Sequence, residues 1–267
     1  MLWATCTNGA VLKRSLLVAA LLLTAIVGPG AALAHDEDRP GTIVPLYSSP
    51  SSSEWNELVS AKRLHPRVPI VAIINPPVWI NAGEQEAYRA GIRRLLREGI
   101  DPIGYVTTSY GNASFDSVKA ELDRIKAGYP GLKGMFLDEM ANAPGKERYY
   151  WQVAGYARSK KLDYLVGNPG TATRESYLDM VDVVTLYDNE GQPDDCQRTD
   201  WQSRYRASNF AVVSYNAADL DTGKVRQCAD RASWIYVTDD VQPNPWDTLP
   251  HYFDDLLGAL EEPRSAL

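Results

Sequence analysis

An alternation limits what this chain can become more than any other feature. Short apolar runs rich in β-branched residues recur at Ile43–Tyr47, Ile70–Ile74, Pro102–Thr107, Gly134–Leu137, Tyr164–Gly167, Val183–Tyr187, Ala211–Tyr215 and Trp234–Thr238. Segments of helical character lie between them. Gly83–Gly99 carries Tyr88, Ile92, Leu95 and Leu96 at helical spacing and closes on a glycine. Ser114–Gly128 offers Ser114 as a cap, Val118, Leu122 and Ile125 as a stripe, and Gly128 as a stop. Glu147–Lys161 and Leu249–Leu260 read the same way, Asp200–Arg206 and Thr222–Ala232 are shorter, and Arg174–Met180 is the least helical. Eight strand–helix repeats predict an α/β fold, a single (β/α)8 barrel of the TIM type. A doubly wound open sheet would place a glycine-rich phosphate turn after its first strand. Here that turn reads SSPSSSEW, without glycine. No linker divides residues 40–262, so one domain over residues 35–267 is expected.

The amino terminus reads as an address. Residues 15–27 are apolar, Lys13 and Arg14 stand before them, and Ala32-Leu33-Ala34 follows. This is the pattern of a secretory signal peptide over residues 1–34, cleaved to expose His35. The apolar run is shorter than the roughly 20 residues a membrane span needs. Cleavage removes Cys6 and leaves Cys196 and Cys228, which in an exported chain read as one disulfide. The protein is therefore expected outside the cell, free of the membrane and monomeric. Its net charge is −7, with no basic stripe, which argues against a nucleic-acid partner. Fifteen tyrosines and seven tryptophans against four phenylalanines suit a carbohydrate groove, since these rings pair a flat apolar face with a polar handle.

In such a barrel the active site lies at the carboxyl ends of the strands. In order, those ends read Tyr47; Asn75; Thr107, Thr108 and Tyr110; Asp138 and Glu139; Asn168; Tyr187, Asp188, Asn189 and Glu190; Tyr215 and Asn216; Thr238, Asp239 and Asp240. The absence of histidine, cysteine and lysine there argues against a Ser-His-Asp triad, zinc hydrolysis and a Schiff-base aldolase. Carboxylates on different strands are what glycoside hydrolysis needs, one to protonate the leaving oxygen and one to attack or to activate water. The catalytic candidates are Asp138, Glu139 and Asp188. Tyr47, Asn75, Trp79, Tyr110, Asn168, Tyr187, Glu190, Tyr215 and Asn216 are the candidates for sugar contact. Asp182, Asp239 and Asp240 have the simpler reading of helix caps. No cofactor or metal is expected, although an oxygen-only set of Asp138, Glu139 and Asp188 would suit calcium or magnesium. Adjacent Asp138 and Glu139 share a site only if the strand ends between them, because neighbours on a strand face opposite ways. The alternative to an enzyme is a carbohydrate-binding barrel without turnover.

Six blocks in order, IVPLYSSP, IINP, GYVTTSYG, GMFLDEM, GNPGT and VDVVTLYDN, resemble the spherulin-4 family. They are also similar to secreted glycoside hydrolases that degrade α-1,4-linked galactosamine polymers of fungal and bacterial biofilms. The likeness runs from about Ile43 to Glu190 and weakens beyond. It implies a (β/α)8 barrel and endo-acting hydrolysis of a polysaccharide containing N-acetylgalactosamine. The family's Asp-Glu pair after strand four falls on Asp138 and Glu139, which makes Asp138 the nucleophile. Its third acid, usually the Glu of a Phe-Glu pair after strand six, falls on Asp188 and implies an acid/base role and a retaining reaction. Asp is one methylene shorter, and Glu190 could substitute only if that strand ends with a bulge or turn. The block INPPVWIN departs from the family's glycine-rich continuation and offers Trp79 as a different sugar platform.

Overall fold

The computed structural model of the chain describes residues 39–194, 196 and 198–261. The signal segment 1–34 and the His35 terminus expected from the sequence lie outside the described residues. Eight parallel strands run in sequence order: β1 (Thr42–Leu46), β2 (Ile70–Ile74), β3 (Asp101–Thr107), β4 (Gly134–Asp138), β5 (Tyr164–Gly167), β6 (Val183–Glu190), β7 (Phe210–Tyr215) and β8 (Trp234–Val237). A parallel bridge between Gly41 and Trp234 joins the last strand to the first, with Gly41 N donating to Ser233 O at 2.8 Å and Ile235 N to Gly41 O at 3.0 Å. Only glycine fits at that seam, because a Cβ on residue 41 would lie 2.5 Å from the Pro69 carbonyl. The result is the TIM barrel expected from the alternation.

Strands covered on both faces read as continuous apolar runs. β1 and β2 are buried throughout. One face of the sheet fills the barrel, with Ile43, Val71, Ile73, Ile103, Phe136, Tyr164, Val166, Val183, Ala211 and Trp234 forming a closed interior cluster. The other face packs on the helices. These are α1 (Glu54–Leu64), α2 (Ala82–Arg97), α3 (Phe115–Gly128), α4 (Glu147–Ser159), α5 (Thr222–Ala229) and α6 (Phe253–Glu261). α2 begins with a reciprocal capping box between Asn81 and Glu84 and buries Tyr88, Ile92 and Leu95. α3 begins on Ser114, whose hydroxyl accepts from Ser117 N at 3.1 Å, and buries the expected Val118, Leu122 and Ile125.

Two of the seven helical segments named from the sequence form no α-helix. Arg174–Met180 forms only a 3-10 turn at Glu175–Tyr177. The connection opens with Asn168-Pro169-Gly170 and carries Thr171 and Thr173, all poor helix residues. Asp200–Arg206 likewise yields one 3-10 turn, Gln202–Arg204, followed by another at Ala207–Asn209. That connection is fastened instead by the expected disulfide, which joins Cys196 to Cys228 of α5 with 5.1 Å between their Cα atoms. α6 starts at Phe253 rather than Leu249, because Pro250 disfavours helix in the residue before it.

Candidate active site

The polar ring at the mouth is built by extending each strand's interior face by one more residue. On β3 the inward face runs Ile103, Tyr105. On β4 it runs Phe136, Asp138, and on β5 Tyr164, Val166, after which Asn168 follows the strand. Tyr47 crowns β1 and packs edge-on against Tyr105 at 5.7 Å, while Tyr105 stacks over Phe136 at 6.3 Å.

β6 follows a different rule. Thr185 pairs with Ala211 and Tyr187 with Val212, so Leu186 is an extra residue in a bulge. An unbroken strand would alternate Val183, Thr185 and Tyr187 inward and turn Asp188 out. The extra residue reverses this. Asp188 enters the site, and Tyr187 packs on the sheet–helix core with its hydroxyl on the carbonyls of Glu190 (2.8 Å) and Gly191 (3.0 Å). The hydroxyl of Tyr187, a candidate for sugar contact, is thus engaged with the backbone at the strand's end. β6 also runs three residues beyond Tyr187, to Glu190.

Asn168 joins the two acids. It is buried, and its amide nitrogen donates to Asp138 Oδ1 at 2.9 Å and to Asp188 Oδ2 at 2.7 Å. Its own carbonyl oxygen accepts from Gly170 N at 3.0 Å, so the turn after β5 fixes which way the amide faces. That turn needs glycine, since Gly170 has φ +67°. Tyr105 donates to the other oxygen of Asp138 at 2.7 Å. Burial pushes the Asp188 carboxyl up to about 6, with the Asp138 charge adding to the rise and the Asn168 bond opposing it. Burial first, and Asp138 next, push both Tyr47 and Tyr105 well above the usual phenol range, so both keep their protons at neutral pH.

β4 ends at Asp138, and Glu139 follows with φ 48°, in the left-handed region. The strand thus ends where it must for both acids to share the mouth. Glu139 Oε2 accepts from Thr107 Oγ1 at 2.6 Å, and its carbonyl accepts from Tyr110 N at 2.6 Å and Thr108 Oγ1 at 2.8 Å. A non-glycine residue held at positive φ by several bonds is a strained position that the surroundings impose.

The remaining candidates surround this centre. Glu190 bonds the side chain of Asn216 rather than either aspartate. Asn216 itself has φ 52° and donates its N–H to Asp240 O at 2.7 Å. Tyr215 packs edge-on against Trp246 at 5.8 Å. Asn75 lines a cleft beyond Tyr105, and Trp79 and Tyr110 stand exposed on the loops after β2 and β3. Asp182 lies at the start of β6, where it accepts from Leu165 N at 2.7 Å and pairs with Arg158. Asp239 accepts from His251 at 2.6 Å and Asp240 from Thr248 at 2.9 Å, so neither caps α6. Tyr105, which bonds Asp138, is the member of this cluster that the sequence reading did not name, because that reading collected only the residues that end strands. The alternation Ile103, Tyr105, Thr107 beneath a carboxylate was the available signal.

A model of the family described as spherulation-specific family 4 matches residues 41–260. Spherulin-4 of Physarum polycephalum is 34% identical over 152 residues, which are 56% of this chain and 45% of that protein. This chain thus matches about half the length of that curated relative. Among solved structures it is similar to Sph3 of Aspergillus clavatus, crystallised in complex with GalNAc, with a TM-score of 0.68, 16% identity, and coverage of 84% of this chain and 98% of that one. It is also similar to a Coccidioides immitis protein proposed to be a fructose-1,6-biphosphate aldolase, with a TM-score of 0.54, 13% identity, and coverage of 84% and 86%. Likeness at such identities establishes the barrel; the chemistry has to come from the residues.

Proposed function

The chain belongs to spherulation-specific family 4, and on that footing we propose that it is an exported glycoside hydrolase that cuts within an α-1,4-linked polysaccharide containing galactosamine or N-acetylgalactosamine. The observation that carries this reading is the pair of carboxylates bridged by the Asn168 amide, one of them raised to about 6 by burial. Two acids in unequal surroundings are the arrangement glycosidic cleavage uses. The strand ends carry no lysine for an aldolase Schiff base. The GalNAc in Sph3 supports the choice of sugar, and the Cys196–Cys228 bridge supports an oxidising destination.

In this reading Asp188 holds a proton near neutral pH and delivers it to the glycosidic oxygen as the carbon–oxygen bond breaks. Asp138, which accepts hydrogen bonds from Tyr105 and Asn168, attacks the anomeric carbon through its carboxylate. Water then displaces Asp138, giving its proton back to Asp188. Glu139 supports the positive charge that develops on the sugar ring. The bridging nitrogen limits the gap: the nearest oxygens of Asp138 and Asp188 lie no farther apart than the two bonds laid end to end, about 5.6 Å. Separations near 5–5.5 Å belong to retaining enzymes, and inverting ones need roughly 6.5–9.5 Å. Retention of anomeric configuration is therefore the expected outcome.

The test is release of new reducing ends from an α-1,4-linked galactosaminoglycan. Asp138→Asn and Asp188→Asn should each lower that rate by about 10²–10⁴-fold with the fold intact by circular dichroism. Retention of the polymer without any new reducing ends, in the parent protein, would leave a carbohydrate-binding barrel and end the hydrolase reading. If Glu190→Gln abolishes turnover and Asp188→Asn spares it, the acid on β6 has been misplaced by two residues.

A further inference from the structure

A groove opens over β3, between the elements on either side of it. One wall is the loop after β2, Asn75 to Val78, and the other is a single face of α3 bearing Ser117, Glu121 and Arg124. The groove encloses about 410 Å³, inside the range of sites that hold small molecules. Its upper end is formed by Tyr105 and Thr107, the same two residues that bond Asp138 and Glu139. Groove and site thus share a wall.

Val78, 56% exposed, lines the groove, and Trp79 is the next residue on the same loop. Trp79 is 92% exposed, an arrangement that costs hydration free energy unless something covers the ring. A flat indole suits the apolar face of a sugar ring. Pro76 and Pro77 restrict the loop before it, and the Asn81–Glu84 capping box anchors the loop after it. The loop that carries the indole is thus fastened at both ends, which lowers the cost of ordering it on binding. On the α3 wall, Arg124 Nε donates to Glu121 Oε2 at 2.8 Å, so the charges there cancel each other. Such a wall fits neutral or N-acetylated sugars better than an ionic ligand.

We propose that this groove is a second saccharide-binding stretch, which holds sugar residues of a linear polysaccharide beyond those at the carboxylates. The inference rests on the glycan reading above for its ligand, and it makes the protein favour long chains over short ones.

Two substitutions test it. Trp79→Ala removes the platform, and Ser117→Trp fills the groove from an exposed position on α3. Binding is read first, by affinity electrophoresis in gels cast with the α-1,4-linked galactosaminoglycan, which needs no turnover. Each substitution should weaken retardation by about tenfold, while the thermal midpoint stays with the parent's. Turnover is read second, as kcat/KM on oligosaccharides of rising length. The advantage of long chains over short ones should shrink by about tenfold in both variants. Unchanged retardation in both variants overturns the proposal, and so does an equal loss of kcat/KM at every length. A parent that binds without cutting, and loses that binding in both variants, keeps the groove and ends the hydrolase reading. A parent that cuts all lengths equally well keeps the hydrolase and ends the groove.

Discussion

Two parts of the barrel are secured in different ways. From β1 to β4 every strand is followed by an α-helix, and each helix is held by a stripe of buried apolar side chains. After β5 and β6 no α-helix follows among the described residues, and 3-10 turns stand instead. Those connections depend on a few specific ties. Ser176 Oγ donates to Glu147 at 3.1 Å, Tyr177 to the Ala143 carbonyl, and Tyr205 to Glu175 at 2.9 Å, while the disulfide closes the far end. The bridged pair of aspartates is split between the two parts. Asp138 and its partner Tyr105 come from the helix-backed side; Asn168 and Asp188 come from the other. The helix-backed connections spread their support over many buried side chains, whereas those after β5 and β6 rest on single ties. The site depends most on the group that spans both parts.

Asn168 is that group, so the largest effect is expected from Asn168→Ala. Removing the amide leaves Asp138 and Asp188 facing each other without their common donor. Turnover should fall by about 10²–10³-fold, the scale seen when one well-placed donor is deleted from an active site. The direction of the pH profile follows as well. The Asn168 bond holds Asp188 down, so without it the basic limb moves to higher pH. Turnover within a few-fold of the parent would show that the two parts need no bridge.

The next effect separates covalent from capping ties. Replacing the cystine by Cys196→Ser with Cys228→Ala opens a loop with a sequence separation of 32. On the chain-entropy account this costs roughly 3–4 kcal/mol. Ser114→Ala, which deletes the α3 cap on the helix-backed side, should cost only about 1 kcal/mol. Urea unfolding of both variants measures the difference, and equal losses would contradict it.

The third expectation turns on the cost of burying Asp188. Its folded value of about 6 lies above the ordinary unfolded value of about 3.9. Stability linked to its proton is then fully present below about pH 3.9 and is lost as pH rises through 6. At pH 8 the lost amount approaches roughly 3 kcal/mol. Asp188→Asn carries no titrating group there, so its stability relative to the parent should rise between pH 4 and pH 8. Thermal melts at the two pH values test this, and a constant difference would mean that Asp188 is not held in an apolar setting. The same group, if it is the acid, sets a basic limb of kcat/KM near pH 6.

The same division governs what the residues disclose before folding. Strands covered on both faces announce themselves as apolar runs, and α2 and α3 were readable from their stripes and caps. The connections after β5 and β6 were not, because ties such as Ser176 to Glu147 or Tyr205 to Glu175 join residues far apart in sequence. Asp138 and Glu139 stand out in the sequence, since an acid pair ending an apolar strand has little alternative use. Asp188 stands out by its neighbourhood, but its orientation depends on one extra residue, Leu186, and a bulge leaves no mark in composition or periodicity. The same bulge turns Tyr187 to the other face, which the sequence does not announce. Asn168 was expected to contact sugar, and its role as a bridge emerges only when β4, β5 and β6 are set side by side.

The smallest expected effect belongs to Tyr105, and it probes the helix-backed side alone. Tyr105→Phe keeps the ring, its edge contact with Tyr47 and its stacking on Phe136. It deletes only the hydroxyl that donates to Asp138 Oδ2 at 2.7 Å. Hydrogen bonds to charged groups contribute about 1.5–3 kcal/mol. Asp138 retains Asn168, so the lower end of that range applies and turnover should fall by about tenfold. The basic limb of kcat/KM, set by Asp188 on the other side of the bridge near pH 6, should stay within a few tenths of a pH unit. The thermal midpoint should stay close to the parent's, because the ring and its packing remain. If the midpoint falls together with turnover, Tyr105 acts through packing rather than through its donor. If the basic limb moves as well, Asn168 couples the two parts of the barrel.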